Sequence, residues 1–387
     1  MIDPVAATAA YIDALGPAAL ARAAAYTTGN HWLLLWGLLV TAAVTGIIVR
    51  ARILERLDVR LARRGRALRT GIIAVAFFLL SGLMTLPWSL YESWWREHGY
   101  GRSAQPLTDF LAQGLLALLL SAVLAGMFFI GIYALIRRAG RAWWVWSGAL
   151  AAGTLAALLL AAPVVIEPLF NDFKPVPEGE VRDALYEMAY EAGIAGDRIF
   201  VYDGSRQSNN FTANVAGLGA SARIAISDVA FKGASLDEVR AVTAHEIGHY
   251  VLDHVWRSVL VLSALATVVF FLADRLFPVF ARAFGSRAAL GDPAGLPVLV
   301  FIVSLLGVLA QPVTNGLSRR AEIEADRYSL QTVNLPDALA SALVKTAEYR
   351  DPRPQVLEEW LFYTHPSVER RVQRAMEWKA AREVAAP

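Results

Sequence analysis

The chain has 387 residues, 56% hydrophobic against 18% charged, a balance that speaks against an ordinary soluble enzyme because a water-facing core cannot absorb the surplus. It has no cysteine, which excludes disulfides and thiolate metal ligands and leaves histidine and carboxylate for any metal site. A net charge of +2, with the basic residues scattered through loops, offers nucleic acid no basic patch.

The N-terminus, "MIDPVAATAAYIDALG", lacks the basic start and apolar core of a signal peptide, and residues 5–25 read as a short Ala-rich helix on or near a membrane. Charge-free apolar stretches follow at 32–49, 70–90, 110–136, 142–166, 258–273 and 294–317. Most are long enough for a helix across roughly 30 Å of hydrocarbon, so six spans are expected. The fifth is the shortest, and the preceding segment lengthens it if Arg257 is carried to the interface. Trp94 and Trp95 follow the second stretch, and Trp143, Trp144 and Trp146 open the fourth, where aromatic rings favour the headgroup boundary. The expected layout is a membrane region 1–166 with four spans, a polar segment 167–254, two further spans in 255–317, and a polar tail 318–387.

In the first polar segment a helix is expected within 177–194 and strands at 198–204 and 222–231. The next helix starts at Ser235, an N-cap with Glu238 three residues later, and nothing but Gly248 interrupts its run toward the fifth span. On that helix lie His245, Glu246 and His249. Residues four apart project from one helix face, so two imidazoles can hold one zinc ion while the intervening Glu reaches the attacking water as general base. His254 follows His245 by nine residues, and the ten-residue metzincin spacing falls on Val255, so that class is excluded. His254 reads instead as a polar residue where the helix meets the membrane. A carboxylate from a second helix remains, and "NGLSRRAEIEADRYSL" offers Glu322, Glu324 and Asp326. Glu322 and Asp326 share a face and Glu324 points elsewhere, which favours the first two as ligand and supporting partner.

Five motifs in order give the chain a resemblance. "LPWSLYESWWREHGYG" (86–101), "IEPLFNDFKPVPEGE" (166–180), "HEIGHYVLDH", "NGLSRRAEIEAD" and "THPSVERRV" (364–372) resemble segments of the CAAX prenyl protease 1 family of integral membrane zinc metallopeptidases. The fold this implies is mainly α: a multi-span membrane helix bundle with a small α+β zinc metallopeptidase domain formed from two separated chain segments. The resemblance implies one zinc ion per chain, bound by His245, His249 and Glu322, with Glu246 as general base and acid. It implies Asp326 as a partner of the zinc-helix histidines, with Arg319 close by. It also implies His365 as a donor to the oxyanion and Arg371 as a residue that holds that site together; from its neighbours alone His365 reads as a loop residue before Pro366. In place of the family's substrate-binding Asn, alignment through Gly217 puts Thr212, and Asn214 is the other candidate for that contact. The familiar eukaryotic members have seven spans, and the first has no counterpart among the six expected here.

The expected activity is zinc-dependent hydrolysis of peptide bonds in membrane-associated, lipidated or misfolded proteins, with the bilayer as the other partner. The alternatives are a metal transporter or channel and a catalytically inactive membrane scaffold. The Arg- and Ala-rich composition points to a bacterial member in an inner membrane. Oligomeric state leaves no signature. Loops 50–69 and 137–141 are rich in Arg, which under the positive-inside rule puts the zinc segment outside, whereas the family resemblance implies the cytoplasmic face.

Overall fold

Asp3 accepts from the amides of Val5 and Ala6 and so starts α1 (Pro4–Asp13) in the computed structural model, which describes residues 2–217 and 222–385. Then come α2 (Gly16–Arg50), α3 (Ile53–Arg60), α4 (Arg66–Ser89), α5 (Arg96–Gly99), α6 (Leu107–Ala139) and α7 (Trp143–Ala161). Among the described residues, five helical stretches are long and apolar enough to cross a membrane: Gly16–Arg50, Arg66–Gly99, Leu107–Leu169, His254–Phe284 and Pro293–Val333. The third, 63 residues long, contains both α6 and α7, which pack together after a turn at Gly140 (φ 53°). The six expected stretches thus lie in five helical runs. Leu39, Leu83, Leu119 and Leu260 point outward from them, an apolar surface suited to lipid.

The first 25 residues depart from expectation. Ile12 of α1 is fully buried against α15 (Val368–Ala385), and α2 begins at Gly16 and continues as a span, so no separate surface helix covers 5–25.

After the fourth apolar stretch the chain forms β1 (Phe173–Pro175), α8 (Glu180–Glu191), β2 (Ile199–Tyr202), β3 (Ala213–Ala216) and β4 (Arg223–Ser227). The sheet order is β1-β2-β4-β3, with β2 and β4 parallel and the outer pairs antiparallel, so β3 is an edge strand. All five residues of β4 are buried, and Ile224 and Ile226 pack with Leu185, Val239 and Ile247. The strand expected over 222–231 ends at Ser227 because the chain turns into α9 (Ala230–Gly233).

The helix carrying the two histidines is α10 (Leu236–Val251), and it does not run on into the bilayer. The chain turns at Leu252 and Asp253, the latter in the left-handed region at φ 55°, and α11 (His254–Phe284) starts in a new direction. Asp is among the few residues that tolerate this backbone. The last span is the inner part of α12 (Leu296–Val333), whose outer turns lie against α10; α13 (Pro336–Lys345), α14 (Val356–Phe362) and α15 complete the fold.

Candidate metal centre

A complete capping box sets the start of α10: Ser235 Oγ accepts from the Glu238 amide at 3.2 Å, and the Glu238 carboxylate accepts from the Ser235 amide at 2.7 Å. Two turns further on, His245 and His249 leave the same face with their Nε2 atoms 3.1 Å apart. A Cβ added at Gly248 would lie 3.2 Å from the Ala325 Cα and 3.1 Å from the Tyr328 Cβ, so α12 crosses α10 about as closely as two backbones allow. That crossing brings Glu322 opposite the imidazoles, its Oε2 3.3 Å from His245 Nε2 and its Oε1 3.4 Å from His249 Nε2.

The three side chains fit a metal ion on two counts. Nitrogen and oxygen ligands about 2.0–2.1 Å from a tetrahedral centre are about 3.3 Å from each other, close to the spacings found here. Charge gives the second. Glu322 and Asp326 are both buried, Arg371 is the cation between them, and Glu322 Oε2 has no hydrogen-bond donor. Burial alone would lower the pKa of His245, yet the adjacent carboxylates of Asp326 and Glu322 outweigh burial and raise it to about 10. The cluster calls for positive charge, and a divalent ion supplies it.

Both imidazoles are held from behind. His245 Nδ1 is 2.9 Å from Asp326 Oδ1, and Arg371 grips that carboxylate with two bonds of 2.6 and 2.8 Å. His249 Nδ1 is 2.9 Å from Nδ1 of His254, whose Nε2 is 3.0 Å from Glu324 Oε2. His254 opens the span-length helix α11, at the boundary expected for it, but it is only 4% exposed because the turn at Leu252–Asp253 folds its ring back under His249. Glu324 points away from the ligand trio, as its helix position requires, and into His254.

Beside the trio, Glu246, Thr212, Val242, His365 and Arg371 line a cavity of 190 Å³. Burial pushes the Glu246 carboxyl above its usual range. His365 Nε2 lies 3.2 Å from Glu322 Oε1 and Nδ1 lies 2.8 Å from Thr364 Oγ1; burial pushes its pKa down to about 3, so the ring is neutral. Arg319 does not touch the trio. Its guanidinium donates to the carbonyls of Glu359 (3.0 Å), Trp360 (3.3 Å) and Tyr363, fixing the segment that leads into His365, and Asn315 adds a bond to the Leu361 carbonyl at 2.8 Å. Thr212 Oγ1 is 2.5 Å from the Tyr202 hydroxyl, and the Thr212 carbonyl accepts from the Ser227 amide. Asn214, on edge strand β3, has a buried side-chain oxygen without a hydrogen-bond partner.

Residues 175–379 match the family described as peptidase family M48, and residues 6–172 match "CAAX prenyl protease N-terminal, five membrane helices". The chain belongs to peptidase family M48. It is a multi-pass membrane metallopeptidase, a hydrolase of peptide bonds, and this membership favours neither the transporter nor the scaffold reading. A relative named uncharacterized metalloprotease YhfN, from Bacillus subtilis, is 28% identical over 317 residues, covering 80% of this chain and 74% of its own length. The CAAX prenyl protease 1 homolog of Arabidopsis thaliana is 27% identical over 310 residues, covering 76% and 71%. The crystal structure of S. mikatae Ste24p shares the fold, with a TM-score of 0.73 at 20% identity over 92% of this chain and 88% of that one.

Proposed function

We propose that His245, His249 and Glu322 hold one zinc ion and that Glu246 is the general base and acid of a membrane endopeptidase. The observation that carries this reading is the convergence of His245 Nε2 and His249 Nε2, 3.1 Å apart, on the Glu322 carboxylate, whose Oε2 and Oε1 lie 3.3 and 3.4 Å from them respectively, with the Glu246 carboxyl in the adjoining cavity. A bound zinc ion supplies Lewis acidity to the attacking water and the scissile carbonyl. Glu246 takes the proton of the water and returns it to the leaving amine, and a carboxyl raised by burial suits both halves of that exchange. Neutral His365 donates to the oxyanion that develops at the carbonyl. Asp326, fixed by Arg371 with its Oδ1 2.9 Å from His245 Nδ1, favours the proton on that nitrogen and so would leave the Nε2 lone pair for the metal.

The substrate lies extended along edge strand β3, where backbone hydrogen bonds supply affinity with little side-chain selectivity. Thr212 and Asn214 are its contacts, and the unpartnered Asn214 oxygen offers an acceptor. Segments 167–254 and 318–387 together form the peptidase domain, a division supported by the packing of α10 on α12; 1–166 and 255–317 form the membrane part. The substrates are membrane-associated, lipidated or misfolded proteins, a reading that draws on curated relatives named as CAAX prenyl proteases; the bacterial inner membrane as location is a reading of the Arg- and Ala-rich composition.

Glu246→Gln keeps the shape of the site but cannot take a proton. Purified in detergent, it is expected to retain one zinc per chain by elemental analysis and to lose roughly 10²–10⁴-fold in turnover of a generic peptide. Cleavage at the wild-type rate would sink the assignment. The same variant, used as a trap followed by mass spectrometry, identifies the substrates.

A further inference from the structure

The zinc reading uses His254, Glu324 and Arg257 for nothing, yet these three form a connected chain ending on a ligand histidine. On an unbroken helix His254, five residues after His249, would sit about 140° around from it and out of reach. The left-handed backbone of Asp253 ends α10 and restarts the chain as α11, and this brings the two rings together with centroids 5.0 Å apart.

One assignment of protons satisfies every nitrogen in the chain. With Nε2 of His249 turned to the ligand trio, its proton is on Nδ1 and donates to Nδ1 of His254 at 2.9 Å. His254 then carries its own proton on Nε2 and donates to Glu324 at 3.0 Å. Glu324 is held by Arg257 through bonds of 2.6 and 3.3 Å. The two ligand histidines are therefore backed alike. His245 ends directly on Asp326 and Arg371, and His249 reaches Glu324 and Arg257 through one inserted ring.

We infer that His254 and Glu324 are positioning residues for the metal ligand His249: they fix its tautomer and ring orientation through a carboxylate–imidazole–imidazole chain. The inference rests on the proposed zinc site and adds two residues to it. Outer partners of this kind change metal affinity by about 10–100-fold when removed.

The test measures zinc affinity of the full-length chain in detergent by competition with a chromophoric chelator. His254→Ala and Glu324→Ala are each expected to weaken zinc binding by about 10–100-fold, and the double variant by no more than the worse single, because both act through one ring. His254→Gln, whose amide can accept from His249 and donate to Glu324, is expected to recover part of the loss. Glu324 is 41% exposed at its side chain, so Glu324→Ala should leave the unfolding temperature of the chelator-treated protein unchanged, which separates positioning from folding. Wild-type affinity in both single variants, or losses that add in the double variant, would overturn the relay. A wild-type chain that binds no zinc would instead overturn the metal reading beneath it.

Discussion

Arg371 is the residue on which most of the site's buried charge depends. It is surrounded by protein, bonds both oxygens of Asp326 and lies 3.5 Å from Glu322 Oε2. Arg371→Lys preserves the charge but replaces a planar fork by a point, so one carboxylate oxygen loses its donor and Asp326 is free to tilt beneath His245. The expected outcome is a folded protein with weaker zinc binding and reduced kcat. Arg371→Leu goes further, because it leaves the buried Asp326 carboxylate without its guanidinium partner, a loss of about 3–5 kcal/mol that thermal unfolding would register. Equal unfolding temperatures for Arg371→Leu and wild type would refute this account of the pair. At this scale the sequence is legible where helix geometry alone decides. His245, Glu246 and His249 are four-residue bookkeeping, and the pairing of Glu322 with Asp326 follows from the same period. His254 is not legible, because its place depends on a left-handed Asp253 that no glycine announces. The part played by Arg319 leaves no trace either, since its three partners are main-chain carbonyls and every residue has one.

The crossing of α10 and α12 decides whether those residues meet. Glycine inside a helix costs about 1 kcal/mol relative to alanine, so on an isolated helix Gly248→Ala would be stabilising. Here the new Cβ would sit 3.2 Å from the backbone of Ala325, which cannot rotate aside as a side-chain tip could. Forcing a methyl group into such a contact costs about 1–3 kcal/mol, which outweighs the propensity gain and moves α12 away from the imidazoles by a few tenths of an ångström. Gly248→Ala is therefore expected to lower both zinc affinity and thermal stability, and a rise in the unfolding temperature would show that propensity prevails. The spans are readable as charge-free apolar stretches, and α8, the capping box of α10, β2 and β4 are readable from local pattern, whereas β1 and the helix α15 are not anticipated from the sequence pattern. What sequence could not supply was where elements stop: β4 ends early against α9, and α10 ends at Val251 although its helical pattern continues.

Across the whole molecule, the excess of positive charge is concentrated at one end. Helix α3 packs on residues 293–295, and Gly291 approaches Ile136, so the connections 50–66, 139–143 and 285–295 lie together at the end opposite the metal centre. Exposed arginines crowd there: seven between 50 and 66, three at 137, 138 and 141, and two at 282 and 287, against the acids Glu55, Asp58 and Asp292. The two Arg-rich loops seen in the sequence become one basic surface, to which the connection 285–295 adds. Each arginine near an anionic cytoplasmic leaflet gains about 1 kcal/mol, and short loops close to span ends are the segments on which the positive-inside rule operates. The peptidase segments are long, and long segments cross largely regardless of their charge, so they do not oppose this bias. The rule therefore predicts that the arginine end is cytoplasmic and the metal centre faces outward, opposite to the side implied by the resemblance to CAAX prenyl protease 1. Alkaline phosphatase fused after Pro387 should be active and a fluorescent protein at the same point dark. The reverse pair of signals would mean that the fold overrides its own charge asymmetry, and replacing the arginines between 50 and 66 by glutamine should then leave the orientation unaltered.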